Sequence, residues 1–284
     1  MANRTISENI NQAISDFKGI KQALIDKGVE MPQGTPTSEY GAKIEGMTVG
    51  GLDTSGITDF SSFCEKNRIP VDDLDGLDTR SGTNFTQMFY QCTNLTTVPQ
   101  LDLRNGTNFY HMFSGCINLT TVPQLDTSKG TNFTQMFYGC RKLKAVELDT
   151  SNGTNFGFIF YECRELKAVE LDTSNGTNFG GMFSGCYNLS TVKLTSFVAH
   201  ANMFGSCSAL TNLTVTGTIT VNATNALKLD YSSKLTVESL LSVLNALKDN
   251  TGGTTYNIQL GSTNLAKLTE EQKAIATNKN YTLS

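Results

Sequence analysis

The amino-acid sequence predicts an α/β repeat solenoid over residues 51–217, with an N-terminal helical module (1–50) and a C-terminal α+β cap (218–284). Three observations lead there. One short stretch is written six times between Leu77 and about Gly217, with its leading Leu at 77, 101, 125, 148, 171 and 194. The period of 24 and then 23 residues lies in the range of solenoid repeats. Each copy carries its apolar residues at the same places, and the two flanks leave the period altogether.

The first 50 residues read as the helical module. Ile6, Ile10, Ala13, Phe17, Ile20 and Leu24 step by 4, 3, 4, 3 and 4, a heptad seam. Thr5-Ile6-Ser7-Glu8 offers an N-cap with an acidic residue in the first turn, and Gly28 ends the helix. Ser38 caps a shorter helix through Ile44. Such a seam buries against a second helix, its own copy or a partner's, or packs on the solenoid as a cap. Attachment or oligomerisation through Ile6, Ile10, Phe17, Ile20 and Leu24 is therefore one expectation, and a simple cap is the other.

Residues 51–76 read as a degenerate first coil. Leu52-Asp53-Thr54-Ser55-Gly56 repeats the opening of a copy, and Phe60 and Phe63 keep two apolar slots, but Cys64 is off register. An end coil has one neighbour only, so an atypical sequence is expected there.

The six full copies share one chemistry. In the third, Leu125, Phe133, Met136, Phe137, Cys140, Leu143 and Val146 are the apolar set. The spacing of Phe133, Met136, Phe137 and Cys140 predicts one or two helical turns. Leu143, Val146 and Leu148 predict a short strand with one buried side. One such unit cannot bury its apolar edge, whereas stacked units bury a continuous core. Gly82, Gly106, Gly130, Gly153 and Gly176 are expected at positive φ in a turn. The Thr-Asn pair after each is expected to cap the helix start and to form an Asn ladder along the stack.

Residues 218–284 read as the α+β cap that shields the last coil. Thr218 to Leu235 predicts short strands. Val237, Leu240, Leu241, Leu244 and Leu247 mark a helix face capped by Thr236. Tyr256, Ile258 and Leu260 alternate as a strand, Thr269 to Gln272 is a capping box, and Asn280 to Leu283 closes as a strand.

The repeated pattern GTNFxxMFxxCxxLxxVxLDTS resembles the BspA-type leucine-rich repeat of bacterial and phage proteins. The resemblance implies a leucine-rich-repeat-like, right-handed coil, in a family many of whose members are surface adhesins or have no assigned role. Where the usual consensus has a Ser-x-Val or Ser-Phe run near the turn this chain has Gly-Thr-Asn, so the fold carries over and the ligand does not. The N-terminal segment resembles regions of tail and minor structural proteins of phages that infect Gram-positive bacteria. The ending LAKLTEEQKAIATNKNYTLS resembles the ends of phage-encoded repeat proteins.

Composition narrows the function classes. The net charge of −4 and the lack of a Lys/Arg run argue against nucleic acid as a partner. No run of about 20 apolar residues predicts membrane insertion. The opening MANRTISENI lacks the apolar core of a signal peptide. A chain that resembles an adhesin without an export signal fits a virion protein released by lysis. Its partners would be other virion proteins at the N-terminal module and a host-surface glycan or protein at the solenoid. The alternatives are a bacterial surface adhesin or interaction scaffold, or a capsid-associated decoration protein.

Seven Cys do not read as disulfides, since Cys92, Cys116, Cys140, Cys163, Cys186 and Cys207 share one slot of successive copies. They are expected as buried thiols packing as small apolar groups. No enzyme, cofactor or metal motif stands in the chain, and His111 and His200 occupy non-equivalent places. Two columns are candidate binding residues. Asp78, Asp102, Asp126, Asp149 and Asp172 follow the leading Leu, either bonded to the Thr-Ser turn after them or forming an acidic strip. Tyr90, Tyr138 and Tyr161 share a slot, as a sugar-binding face or as wedges between coils.

Overall fold

The computed structural model describes residues 54, 56–67, 77–224 and 226–284. The expectations for Ile6, Ile10, Phe17, Ile20 and Leu24 lie outside the described residues.

The repeats stack coil on coil. Parallel bridges join Asp59 to Asn84, Asn84 to Asn108, Asn108 to Asn132, Asn132 to Asn155 and Asn155 to Asn178. Each links a residue to its equivalent one copy later. The core between them is a set of columns. Phe60, Phe85, Phe109, Phe133, Phe156 and Phe179 form one file of stacked rings with centroids 5.5–5.8 Å apart. Phe89, Phe113, Phe137, Phe160, Phe183 and Phe204 form a second, at 5.3–5.9 Å. All of these rings are buried. Cys64, off the cysteine register, occupies the second phenylalanine file: its N–H donates to Met88 O, as that of Phe89 donates to Met112 O.

The helical turns expected at Phe133–Cys140 do not form, although all four apolar residues are buried as that spacing required. The segment is a run of turns in which alternate N–H groups serve two directions. Phe133, Gln135, Phe137 and Gly139 donate to Asn155, Gly157, Ile159 and Tyr161 of the next coil. Met136, Tyr138 and Cys140 donate three residues back within their own coil. Two residues per coil take positive φ to allow this, Gln135 and Gly139 here, Gln87 and Gln91 two coils earlier. The reason is spacing. The rings fix coils less than 6 Å apart, whereas an α-helix with its side chains is about 10 Å across. Helices on successive coils would collide.

The repeat glycines are needed for room rather than for positive φ. A Cβ on Gly82, Gly130 or Gly153 would strike the ring of the Phe three residues on. The positive-φ positions fall instead on residues such as Gln87, His111 and Phe158. With no helix to cap, two of the repeat Asn turn to the stack: Asn84 Nδ2 donates to Asp59 Oδ1 at 3.0 Å and Asn132 Nδ2 to Asn108 Oδ1 at 3.1 Å, while Asn132 Oδ1 accepts from Thr134 N–H and Oγ1. The expected Asn ladder is present at these residues.

One strand per coil is not found either. Strands β1 (Ala168–Leu171), β2 (Thr191–Leu194) and β4 (Asn212–Val215) pair in parallel, in the order β1-β2-β4, with Leu171 opposite Leu194 and Leu194 opposite Val215. The same slot in earlier coils makes only single bridges, Thr121 to Ala145 and Leu125 to Leu148. Pro99 and Pro123 sit in that slot, and proline has no N–H for the ladder. β3 (Phe197–Val198) and β5 (Ile219–Thr220) form a second small parallel pair.

The turn from repeat to C-terminal cap is not a break at Gly217. The coil-to-coil bond of Thr211 N to Ser190 O is followed by that of Thr236 N to Thr211 O. Helix α1 (Val237–Ala246), capped by Thr236, then lies along the open edge of β4. Ser239 Oγ accepts from Leu213 N at 3.0 Å and Ser242 Oγ from Val215 N at 2.9 Å. Two serine hydroxyls stand in for the next strand. Helices α2 (Ser262–Leu265) and α3 (Glu270–Thr277) and strands β6 (Tyr256–Ile258) and β7 (Tyr281–Leu283) complete the cap. The capping box at Thr269 and Gln272 is formed, and β6 pairs with β7 in parallel. Between β5 and α1 the expected short strands reduce, among the described residues, to one bridge, Lys228 to Gln259.

Candidate functional site

The Asp column lines an open groove. Asp78, Asp102, Asp126 and Asp149, with Arg80 and Arg104, face a space of about 1170 Å³. Asp172 and the tyrosines are not part of its lining. The backbone beneath is held by buried threonines one step after Asp78, Asp126, Asp149 and Asp172. Thr79 Oγ1 donates to Asp102 O and accepts from Asp102 N, both at 2.9 Å. Thr127 and Thr150 donate likewise to Asp149 O and Asp172 O at 2.8 Å. This threonine ladder escaped the sequence reading. Its signal was a Thr in that slot in five of six successive openings, from Thr54 to Thr173, broken only by Leu103.

Each carboxylate is satisfied by its own turn. Asp126, Asp149 and Asp172 accept from the N–H and hydroxyl of Ser128, Ser151 and Ser174. Asp172 also accepts from Thr195 Oγ1 at 2.8 Å. Asp78 and Asp102 are gripped by Arg80 and Arg104, at 2.6 and 2.8 Å. The Arg80 side chain holds the Asp78 carboxyl down at about 2, and the Ser128 hydroxyl lowers that of Asp126. The groove is thus polar and ordered: its first two acids are ion-paired to arginine, and its later ones keep their charge while accepting from serine N–H and hydroxyl groups. Among the described residues no group of three or more His, Cys, Asp or Glu is arranged to hold a metal ion.

The Tyr column lies on the turn segment. Tyr90, Tyr138 and Tyr161 are all half-buried. Tyr138 and Tyr161 stack ring on ring at 4.8 Å and 10°, and Phe158, which is exposed, meets Tyr161 edge-on. Tyr90 stands apart from this pair, edge-on to His111 at 5.7 Å. Tyr110 closes on the same imidazole at 4.1 Å. Burial lowers the His111 pKa, and its Nδ1 has no hydrogen-bond partner. His111 therefore packs as a neutral ring among tyrosines.

The seven cysteines are free and buried. They do more than fill space. Cys116, Cys140, Cys163, Cys186 and Cys207 each donate through Sγ to a phenylalanine carbonyl of the preceding coil at 3.0–3.2 Å.

This geometry defines a stacked-coil repeat protein with leucine and phenylalanine columns inside and polar columns outside. Residues 110–236 match the BspA type leucine rich repeat region, in 6 copies. Residues 40–148 match the family described as Mycoplasma protein of unknown function, DUF285. No curated protein and no solved structure matches the chain. A BspA-type leucine-rich repeat region is therefore present, and BspA-like repeats suggest a surface or interaction repeat protein. No helix among the described residues is long and apolar enough to cross a membrane.

Proposed function

We propose that this is a non-enzymatic recognition protein carried on a phage particle, in a tail, fibre or baseplate, with its right-handed coil stack facing the host surface. The observation that supports it most is the separation of roles within one coil. The phenylalanine, methionine, cysteine and leucine columns are buried, so what repeats outward is Asp, Thr, Asn and Tyr. A surface that repeats at every coil suits a repetitive ligand better than a single substrate molecule. In this reading residues 1–50 dock to other virion proteins or to their own copy through Ile6, Ile10, Phe17, Ile20 and Leu24. No cofactor or nucleic acid takes part.

A second reading, a cellular surface adhesin or interaction scaffold, draws on the match to a family described from Mycoplasma. Immunogold labelling of purified particles from the source culture, with an antibody against residues 77–217, decides between them. Gold on particle tails is expected, with label lost in the double variant Ile10→Asp, Phe17→Asp. Gold confined to cell envelopes would favour the second reading.

A further inference from the structure

We propose that segments 138–144 and 161–167 form a binding patch for an anionic glycan. The inference rests on the reading of the coil stack as a recognition surface, and names its ligand.

The two segments read YGCRKLK and YECRELK. They carry five cations, Arg141, Lys142, Lys144, Arg164 and Lys167, against the carboxylates of Glu162 and Glu165. The same segment in the coils before and after reads YQCTNLT, SGCINLT and SGCYNLS, with no charge at all. In a chain of net charge −4 the cations of this slot are thus confined, among the six full copies, to two adjacent coils. The segments lie against each other residue on residue. Gly139 N donates to Tyr161 O at 2.7 Å, Glu165 N to Arg141 O at 3.2 Å and Lys167 N to Lys144 O at 3.3 Å.

The charges displace bonds that hold the stack elsewhere. At the slot of Lys144 and Lys167 other coils have a hydroxyl that bonds across the junction: Thr120 Oγ1 to Thr96 O, Ser190 Oγ to Lys167 O and Thr211 Oγ1 to Ser190 O, at 3.0–3.1 Å. At the slot of Lys142, Asn118 Nδ2 donates to Thr93 O at 2.9 Å. Lysine gives these bonds up. Nor do the cations find structural carboxylates: among the described residues Arg164 alone of the five is ion-paired, to Glu162. Arg141, Lys142, Lys144 and Lys167 are exposed. A solvated face chosen for solubility would spread charge over all coils. A pair of coils that trades internal bonds for stacked cations fits a ligand with negative groups at short intervals.

The same segments open with the stacked rings of Tyr138 and Tyr161, and the Arg164 guanidinium lies 5.9 Å over the exposed Tyr187 ring. Rings flanked by cations match a sugar chain bearing carboxylate or phosphate: ring faces pack on the sugar, and cations meet its charges. Single-stranded nucleic acid offers similar groups. Against it stands the acidic balance of the chain, a net charge of −4, without the extended basic face that nucleic-acid binding proteins carry.

The test uses the full chain against four immobilised probes: polyglucuronic acid, poly(glycerol phosphate), neutral dextran and a single-stranded oligo-dT. Binding to polyglucuronic acid or poly(glycerol phosphate) is expected, weakening with salt as screening grows, and which of the two binds tells carboxylate from phosphate. The variant Lys144→Thr, Lys167→Thr restores the hydroxyl of the neighbouring coils, so it should melt no lower than the parent chain while binding about tenfold more weakly. Tyr138→Ala with Tyr161→Ala should weaken binding in high salt as well. Parental affinity in the threonine variant, tightest binding to oligo-dT, or no preference for the acidic glycans over dextran would each overturn the proposal. Binding to host cells separates the two levels. If the threonine variant coats cells as well as the parent chain, the patch is wrong and surface recognition stands; if the parent chain does not coat cells, surface recognition is wrong.

Discussion

Phe137 sits between Phe113 and Phe160 with its ring wholly buried, and truncation there removes a contact on each side. Phe137→Ala is expected to cost about 3–5 kcal/mol in denaturant unfolding, since a stacked file cannot close over the hole without shifting two coils. A loss below about 1 kcal/mol would mean that the file is not the core. The cysteines make a pH prediction. Burial pushes the Cys207 thiol up to about 12 from its ordinary 9.0, and raises Cys64, Cys116, Cys140, Cys163 and Cys186 as well. Above pH 9.0 the unfolded chain sheds thiol protons that the folded chain keeps, so stability is fully present below that pH and falls as pH rises toward 12. Melting curves between neutral and strongly alkaline pH should show a loss beginning near pH 9. A thiol reagent at neutral pH should label little until denaturant is added. The burial of these residues was legible from their repeated slot. Their donation to carbonyls was not, because a cysteine column and an alanine column have the same period.

At the scale of the element, sequence spacing told which residues are inside but not what backbone carries them. Phe133, Met136, Phe137 and Cys140 satisfy a helical spacing, and a chain of alternating turns buries the same residues. Coil separation decides between the two, and it is set by contacts between copies that no single copy displays. The C-terminal helices were legible because Thr236 and Thr269 are local signals. The use of α1 was not, since Ser239 and Ser242 matter only beside β4. Replacing both by Ala leaves the N–H groups of Leu213 and Val215 without acceptors and should cost about 1–3 kcal/mol for each buried group. Amide exchange at Leu213 and Val215 should speed up before that of β2; unchanged exchange would show that α1 covers the edge by packing alone.

For the whole molecule, the candidate columns were visible as columns, but their company was not. Asp102, Asp126 and Asp149 share one groove, whereas Tyr138 and Tyr161 stack and Tyr90 turns to His111. Joining Gln100 directly to Leu125, which removes residues 101–124, deletes one full copy and keeps every column in register. That shortened chain should fold, with a smaller stability and a shallower dependence on denaturant, since each coil contributes mainly through its neighbours. An unfolded product would refute the repeat-sum picture. The turn segments have one more consequence. The N–H groups of Phe60, Ser62, Cys64 and Lys66 point to the second coil, those of Phe85, Gln87, Phe89 and Gln91 to the third, and so on through Glu162. The Thr-Asn peptides, as at Asn108 N to Thr83 O, and the file from Thr120 N to Thr96 O through Lys144 N to Thr120 O and Lys167 N to Lys144 O run the other way, outside the turn segments. The aligned peptide dipoles add head to tail from coil to coil, as they do along an α-helix. The turn-segment face of the stack is therefore electrically polar along its length, independent of any charged side chain. Its positive pole lies toward the last coil and its negative pole at Phe60, so whatever covers the first coil must bring hydrogen-bond donors or positive charge.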